Sequence, residues 1–361
     1  MNPGLKGVVA AETAISFIDG QHGRLIYRGY DARELALKRT FEEVAHLLWY
    51  GKLPDKAERD KLEKALADGR NIPGYVFSAI DALPLEIDMM TVMRTAVSAM
   101  GLPEFGWKPT VDQAIRLTAA LPVIIAYRHR KSSGLPFVEP DMKARHVENY
   151  LYMLNGAKPY DVHIQALETY MVLTIEHGMN ASTFAARVAA STETDMPTAV
   201  TAALAAMKGP LHGGAPSDVI LMLNEIGTKE KAERWLRDKL ENGERLMGFG
   251  HRVYKTNDPR ALALREKARD LGSDDPWLDL ALHVEECAIR LLEHYKPGRK
   301  LYTNVEFYAA AVMRSINMEE TLFTPTFSAA RMPGWTAHVL EQASHNVIYR
   351  PESYYIGELP G

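Results

Sequence analysis

The chain has 361 residues, 47% of them apolar and 24% charged, the composition of a globular protein with a core large enough for two domains. A formal net charge of −4 removes any overall electrostatic case for a nucleic-acid or anionic-membrane partner. The one cysteine, Cys287, excludes an intramolecular disulfide and a cysteine-based zinc site and points to a reducing, cytoplasmic setting.

The first residues, Met1-Asn2-Pro3-Gly4-Leu5-Lys6-Gly7, show neither a secretory apolar region nor an Arg-rich transit pattern, which again predicts a cytoplasmic protein. Thr13 to Phe17 and Arg24 to Tyr27 alternate apolar and polar around Asp19-Gly20-Gln21-His22-Gly23, so a short β-hairpin is expected there. Beyond it the reading is helical. Asp31 with Glu34, and Thr40 with Glu43, each pair a cap residue with an acid three positions on. Phe41, Val44, Leu47 and Leu48 then make an apolar stripe. Pro54, Gly69, Pro73-Gly74, Gly101 to Pro103 and Gly134 to Pro136 separate further helices, and Pro122 is expected to kink one of them. The apolar run Leu121 to Tyr127 is too short to span a bilayer. Repeats and low-complexity linkers are absent, so the pattern predicts a large all-α protein.

Several stretches carry candidate chemistry. Glu176-His177-Gly178-Met179-Asn180-Ala181-Ser182-Thr183 sets an imidazole before a turn residue and small polar groups; on its own it also reads as a helix cap beside a core histidine. Gly209-Pro210-Leu211-His212-Gly213-Gly214 holds a histidine among glycines, which let a ligand approach closely. Pro216 suits a first helical turn, placing His212 at a helix N-terminus, where the macrodipole favours neutral imidazole. Gly248-Phe249-Gly250-His251-Arg252-Val253-Tyr254-Lys255 repeats the glycine-flanked histidine and continues to Asp258-Pro259-Arg260. Tyr302-Thr303-Asn304-Val305-Glu306-Phe307-Tyr308 puts a carboxylate in apolar surroundings, where desolvation raises its basicity toward that of a general base. Phe327-Ser328-Ala329-Ala330-Arg331 and Tyr349-Arg350-Pro351-Glu352 each supply an arginine, although a single arginine is ordinarily a solvated surface residue. The basic cluster Lys296, Arg299, Lys300 likewise reads as a solvated loop unless a phosphate is bound there. Cys287, after Glu285-Glu286, is expected to be a small packed residue. No His-Glu-x-x-His, Gly-x-Gly-x-x-Gly, Walker loop or Gly-x-Ser-x-Gly occurs, so metal hydrolysis, dinucleotide binding and a serine-hydrolase elbow lack support.

These stretches, in this order, resemble the citrate synthase family. Gly-Pro-Leu-His-Gly resembles its loop for the first catalytic histidine, and Gly-Phe-Gly-His-Arg-Val-Tyr-Lys through Asp-Pro-Arg its signature around the second. The family's Asn-Val-Asp-Phe-Tyr motif is matched with Glu306 in place of the usual aspartate, and Ala309-Ala310 replace the Ser-Gly that often follows. The resemblance implies a large helical domain, residues 1–212 and 312–361, with a smaller helical domain, residues 213–311, inserted and a cleft between them. It implies His212, His251 and Glu306 as catalytic groups, and His177, Arg260, Arg331 and Arg350 as oxaloacetate contacts. Arg350 would come from the partner subunit of a homodimer. Lys255, Arg299 and Lys300 become candidate contacts for coenzyme A. No metal or permanently bound cofactor is implied; acetyl-CoA is a co-substrate. The activity implied is condensation of acetyl-CoA with oxaloacetate to citrate. The alternatives are a 2-methylcitrate synthase using propionyl-CoA, or a non-catalytic dicarboxylate or CoA sensor in which Glu306 marks lost chemistry.

Overall fold

The computed structural model describes residues 3–5, 7–213, 215–251, 254, 256–271 and 276–359. Lys255, a candidate coenzyme A contact, lies outside the described residues. The chain opens with a small antiparallel sheet, β1 (Ser16–Asp19), β2 (Arg24–Tyr27) and β3 (Tyr30–Asp31), in which Phe17 pairs with Ile26 and Tyr27 with Tyr30. The hairpin is thus present, but its first strand begins at Ser16 rather than Thr13, and a third strand extends it. Asp19 ends β1 and accepts hydrogen bonds from the backbone N–H of Gln21 and His22, which closes the turn.

Sixteen α-helices follow among the described residues. The first group is α1 (Ala32–Lys38), α2 (Phe41–Tyr50), α3 (Lys56–Asp68), α4 (Gly74–Asp81), α5 (Met89–Ala99), α6 (Val111–Ser132), α7 (His146–Asn155), α8 (Asp161–Thr174), α9 (Ala181–Ser191) and α10 (Met196–Met207). Then come α11 (Ala215–Ile226), α12 (Lys229–Glu241), α13 (Pro259–Leu271), α14 (Pro276–Tyr295), α15 (Val305–Ser315) and α16 (Phe323–Ser344). The caps read from sequence form as expected. Asp31 accepts from the N–H groups of Arg33 and Glu34, and Thr40 and Glu43 make a reciprocal capping box. Pro122 falls inside α6, which runs across it as one helix of 22 residues. Past Ser344 the chain has no regular structure through Leu359, and Val347, Tyr354, Ile356 and Leu359 are exposed there.

One apolar core runs from Ile15 to Val339. At its centre lies α16, buried on nearly every side and packed against α2, α5, α6, α8, α9 and α10. Helices α11 to α15 pack largely on each other, while α13 and α15 also touch α8. The ends of α8 and the starts of α9, α13 and α15 therefore meet α16 around a single cleft. No helix among the described residues is long and apolar enough to cross a membrane.

Candidate active site

The cleft has a volume of about 840 Å³, and its lining includes His177, His212, His251, Arg260, Glu306 and Arg331. Each is presented by the end of a helix or by the loop beside one, with the exception of Arg331, which projects from within α16.

His177 sits in the turn between α8 and α9. Gly178 adopts φ +64°, and Asn180 caps α9 by accepting from the N–H of Thr183. The preceding Glu176 is fully buried; its Oε1 accepts from Gly178 N at 2.5 Å, Ser16 Oγ at 2.9 Å and His338 Nε2 at 3.1 Å. Burial alone would raise the Glu176 pKa, but His338 and Arg331 outweigh it and hold the group ionised. On α16, Gly334 lies so close to this turn that a Cβ there would overlap Ile175 O and stand 2.7 Å from Glu176 Oε2. Burial, and then the charges of Arg260 and Arg331, push the His177 pKa well below its ordinary value. Its Nε2 is 3.2 Å from Tyr254 Oη, a phenol itself pushed up by burial.

His212 follows α10 in the tight turn Gly209–Gly213, whose last carbonyl accepts from Thr324 Oγ1 at 2.5 Å. Ser182 meets His212 Nε2 twice, through its N–H at 3.3 Å and its Oγ at 2.7 Å, while Trp335 Nε1 donates to that Oγ at 3.0 Å. The His212 pKa is lowered to about 4 by burial first and the Arg331 charge second. The imidazole is neutral, as the sequence suggested, and burial and the Arg331 charge are the causes.

His251 ends a short extended segment. Phe249 bridges Thr303 in antiparallel fashion, Gly250 N donates to Tyr302 O at 2.8 Å, and Asn304 N donates to Gly248 O at 2.9 Å. Gly248 and Gly250 have φ near +80° and abut Phe307 and Leu301, so side chains would fit neither. The ring of His251 receives Tyr254 N at Nδ1 (3.2 Å) and faces Arg260 Nη2 at Nε2 (3.3 Å).

Arg260 stands in the first turn of α13. Asp258 grips it through the backbone N–H and Nε (each 3.0 Å) and Nη2 (2.8 Å), and also accepts from Val305 N at 3.2 Å. Burial would weaken the Arg260 charge, but Asp258 more than offsets it, so the fork is fixed and cationic. Arg331, 1% exposed, donates from Nε to Thr174 O at 2.6 Å, and its guanidinium lies over the Phe327 ring at 4.8 Å. Glu306 begins α15, where Asn304 Oδ1 caps its N–H at 3.0 Å. The carboxyl is half-buried and reaches the cleft, yet burial, aided by Asp258 and opposed by Arg260 and Arg331, raises its pKa to about 7.

A neutral histidine, a carboxyl with a pKa of about 7 and two fixed guanidinium groups in one cleft are groups of the kind that can bind a dicarboxylate and take a proton from carbon. The family model "Citrate synthase, C-terminal domain" matches residues 4–352. The chain belongs to the citrate synthase family. It is 40% identical over 367 residues to "Citrate synthase 2" of Bacillus subtilis, covering 98% of this chain and 95% of that protein. It is 38% identical to the "2-methylcitrate synthase" of Mycobacterium tuberculosis, covering 99% and 92%. Its fold matches, with a TM-score of 0.92 and 33% identity over 100% of this chain and 97% of the other, a citrate synthase from Thermoplasma acidophilum solved as a ternary complex with carboxymethyl coenzyme A and oxaloacetate.

The residues that the family resemblance singled out divide into two sets. His177, His212, His251, Arg260, Glu306 and Arg331 converge on the cleft. Arg350, Arg299 and Lys300 are exposed and are not among its lining residues. Arg299 and Lys300 nonetheless directly precede Leu301 and Tyr302, which back the His251 segment. Sequence reasoning passed over Ser182, Tyr254 and Asp258, although all three lie inside motifs it quoted. It also passed over the N-terminal wall of the cleft, where Leu5, Val8 and Val9 line the mouth. Among the described residues, no cluster of His, Cys, Asp and Glu could hold a metal ion.

Proposed function

We propose that the protein is a citrate synthase, an acyltransferase that joins the methyl carbon of acetyl-CoA to the ketone carbon of oxaloacetate and then hydrolyses the thioester. The observation that carries this reading is the pairing of Glu306, with its pKa near 7, and neutral His212 in the same cleft as Arg260 and Arg331.

In this mechanism Glu306 takes a proton from the acetyl methyl group, and the electron pair moves toward the thioester oxygen. His212, whose Nε2 accepts from Ser182, keeps its proton on Nδ1 and donates there to the developing enol oxygen. The enol carbon attacks the ketone, and His251 protonates the oxygen that becomes the hydroxyl of citrate. His177, Arg260 and Arg331 hold the two carboxylates of oxaloacetate. Water then adds to the thioester carbonyl, the carbon–sulfur bond breaks and the CoA thiol leaves with a proton.

Residues 213–311 act as a small domain that closes on the large domain, 1–212 and 312–361, and excludes bulk water before condensation. The protein works as a cytoplasmic homodimer, in which Arg350 reaches the partner's cleft and adds a third carboxylate contact; its exposure on an irregular C-terminal segment, and its absence from the residues that line its own cleft, support this. Lys255, Arg299 and Lys300 contact the phosphates of coenzyme A.

A 2-methylcitrate synthase is the second reading, favoured by relatives of that name at similar identity. One methylene in an apolar pocket distinguishes the acyl groups by only about 1–3 kcal/mol. Thiol release from acetyl-CoA and from propionyl-CoA, each with and without oxaloacetate, tests both readings. Oxaloacetate-dependent release favouring acetyl-CoA is expected. Preference for propionyl-CoA would move the assignment to 2-methylcitrate synthase, and oxaloacetate binding without release from either would leave a sensor.

A further inference from the structure

Behind the cleft, in the middle of α14, Glu285 is 6% exposed and does not line the cavity, yet both its oxygens are engaged. Oε1 accepts from Thr303 Oγ1 at 2.5 Å, and Oε2 accepts from Tyr308 Oη at 2.5 Å and faces Arg265 Nη2 at 3.3 Å. The two hydroxyl donors bracket Glu306 on the chain. Thr303 lies just before the cap residue Asn304, and Tyr308 lies on the first turn of α15. Thr303 is also the residue that bridges Phe249, and its neighbours Tyr302 and Asn304 make the backbone bonds to Gly250 and Gly248. Whatever fixes Thr303 therefore fixes the segment that ends in His251.

We propose that Glu285 is a positioning residue that sets the spacing between the His251 segment and the Glu306 turn. This rests on the reading of Glu306 as the base. The chemistry of the contact suits the task. A carboxylate only accepts, so it can hold two hydroxyls at once, and charge-assisted O–H···O⁻ bonds are short and directional. Arg265, on the same helix as Arg260, places a guanidinium 3.3 Å from the same carboxylate and so pairs it as a buried charge requires. Phe307, fully buried between the two tethered residues, packs edge-on to Phe249 with ring centroids 5.3 Å apart, so a shift of the turn would carry the His251 segment with it. A glutamate base has one more side-chain torsion than an aspartate, which makes its placement depend more heavily on where the backbone beneath it is held.

The test uses Tyr308→Phe and Thr303→Val, each removing one donor, with Glu285→Gln as the variant that alters the acceptor. Thr303→Ser restores the hydroxyl without the methyl group. Turnover, oxaloacetate affinity by calorimetry and melting temperature are measured on each full-length protein. The single variants are expected to lose about tenfold in kcat, and Glu285→Gln about 100-fold, as misplacement near 1 Å does. Oxaloacetate Kd is expected to change less than about threefold, because Arg260 and Arg331 remain held by Asp258 and Thr174. Thr303→Ser should recover kcat. If Tyr308→Phe and Thr303→Val fold and keep kcat within about twofold of the parent, or lose oxaloacetate binding in step with kcat, Glu285 has no such role. Glu306→Gln separates the two claims. Turnover surviving in that variant removes the base, whereas turnover lost there but intact in the hydroxyl variants removes only the positioning role.

Discussion

Ser182 grips His212 from two directions, with its hydroxyl oxygen 2.7 Å and its backbone nitrogen 3.3 Å from the same Nε2. A backbone N–H can only donate, so Nε2 is the acceptor nitrogen and the ring hydrogen belongs on Nδ1. Together with a pKa lowered to about 4, the backbone contact supports a neutral ring that carries its hydrogen on Nδ1 in the group proposed to stabilise the enol.

Replacing Ser182 with alanine tests that relationship. The backbone donor survives, so the ring stays neutral, but the hydroxyl that Trp335 holds in place is lost. A net hydrogen bond of about 1–1.5 kcal/mol corresponds to roughly a tenfold fall in kcat. Oxaloacetate KM should hardly move, since His212 acts on the thioester; steady-state kinetics with each substrate varied checks both parts.

The raised pKa of Glu306 gives a paired prediction for rate and stability. A base must be ionised, so kcat/KM in the free enzyme should climb with pH through an apparent pKa of about 7. For stability the sign is opposite. The folded-state value lies above the ordinary 4.5, so the group favours folding fully below 4.5, and that contribution disappears as pH rises through about 7. Glu306→Gln should therefore unfold less readily than the parent above pH 7, by at most roughly 3.5 kcal/mol, and equally readily at low pH. Denaturant melts at several pH values measure this.

Arg331→Lys keeps a cation but discards the fork that is tied to Thr174 O and stacked on Phe327. Oxaloacetate KM should rise by about 10- to 150-fold, the equivalent of 1.5 to 3 kcal/mol for a charged hydrogen bond, with a smaller change in kcat. Isothermal titration with oxaloacetate provides the direct reading.

Arg350 makes a prediction about assembly. If each cleft takes Arg350 from the other subunit, a hybrid of an Arg350→Ala chain and a Glu306→Gln chain has one cleft with both defects and one with neither. Co-purified hybrids should recover activity that each parent homodimer lacks. Hybrids as inactive as their parents would show that Arg350 serves its own chain or no cleft at all.

The sequence exposed the fold class because helix caps are local. Asp31 and Thr40 with Glu43 are read within four residues and form as read. Pro122 lies inside α6, where residues 119 to 126 are all buried, and this packing carries the helix past a residue that removes one backbone donor. The motif histidines and Arg260, Glu306 and Arg331 were legible because their identities repeat a known pattern. Glu285 was not, since nothing in Glu285-Glu286-Cys287 says which acid faces Thr303 and Tyr308 across the fold. Asp258 and Ser182 lay within quoted motifs, but their importance comes from whom they touch, which spacing alone does not state.

Glu306, although longer than an aspartate, is the proposed base for the methyl proton. The most direct measurement is oxaloacetate-dependent thiol release from acetyl-CoA by the parent protein and by Glu306→Gln, with oxaloacetate binding to both followed by calorimetry. Steady release by the parent, a fall of about 10²- to 10⁴-fold in the variant and unchanged oxaloacetate binding are expected. A variant that turns over within about tenfold of the parent would contradict that role.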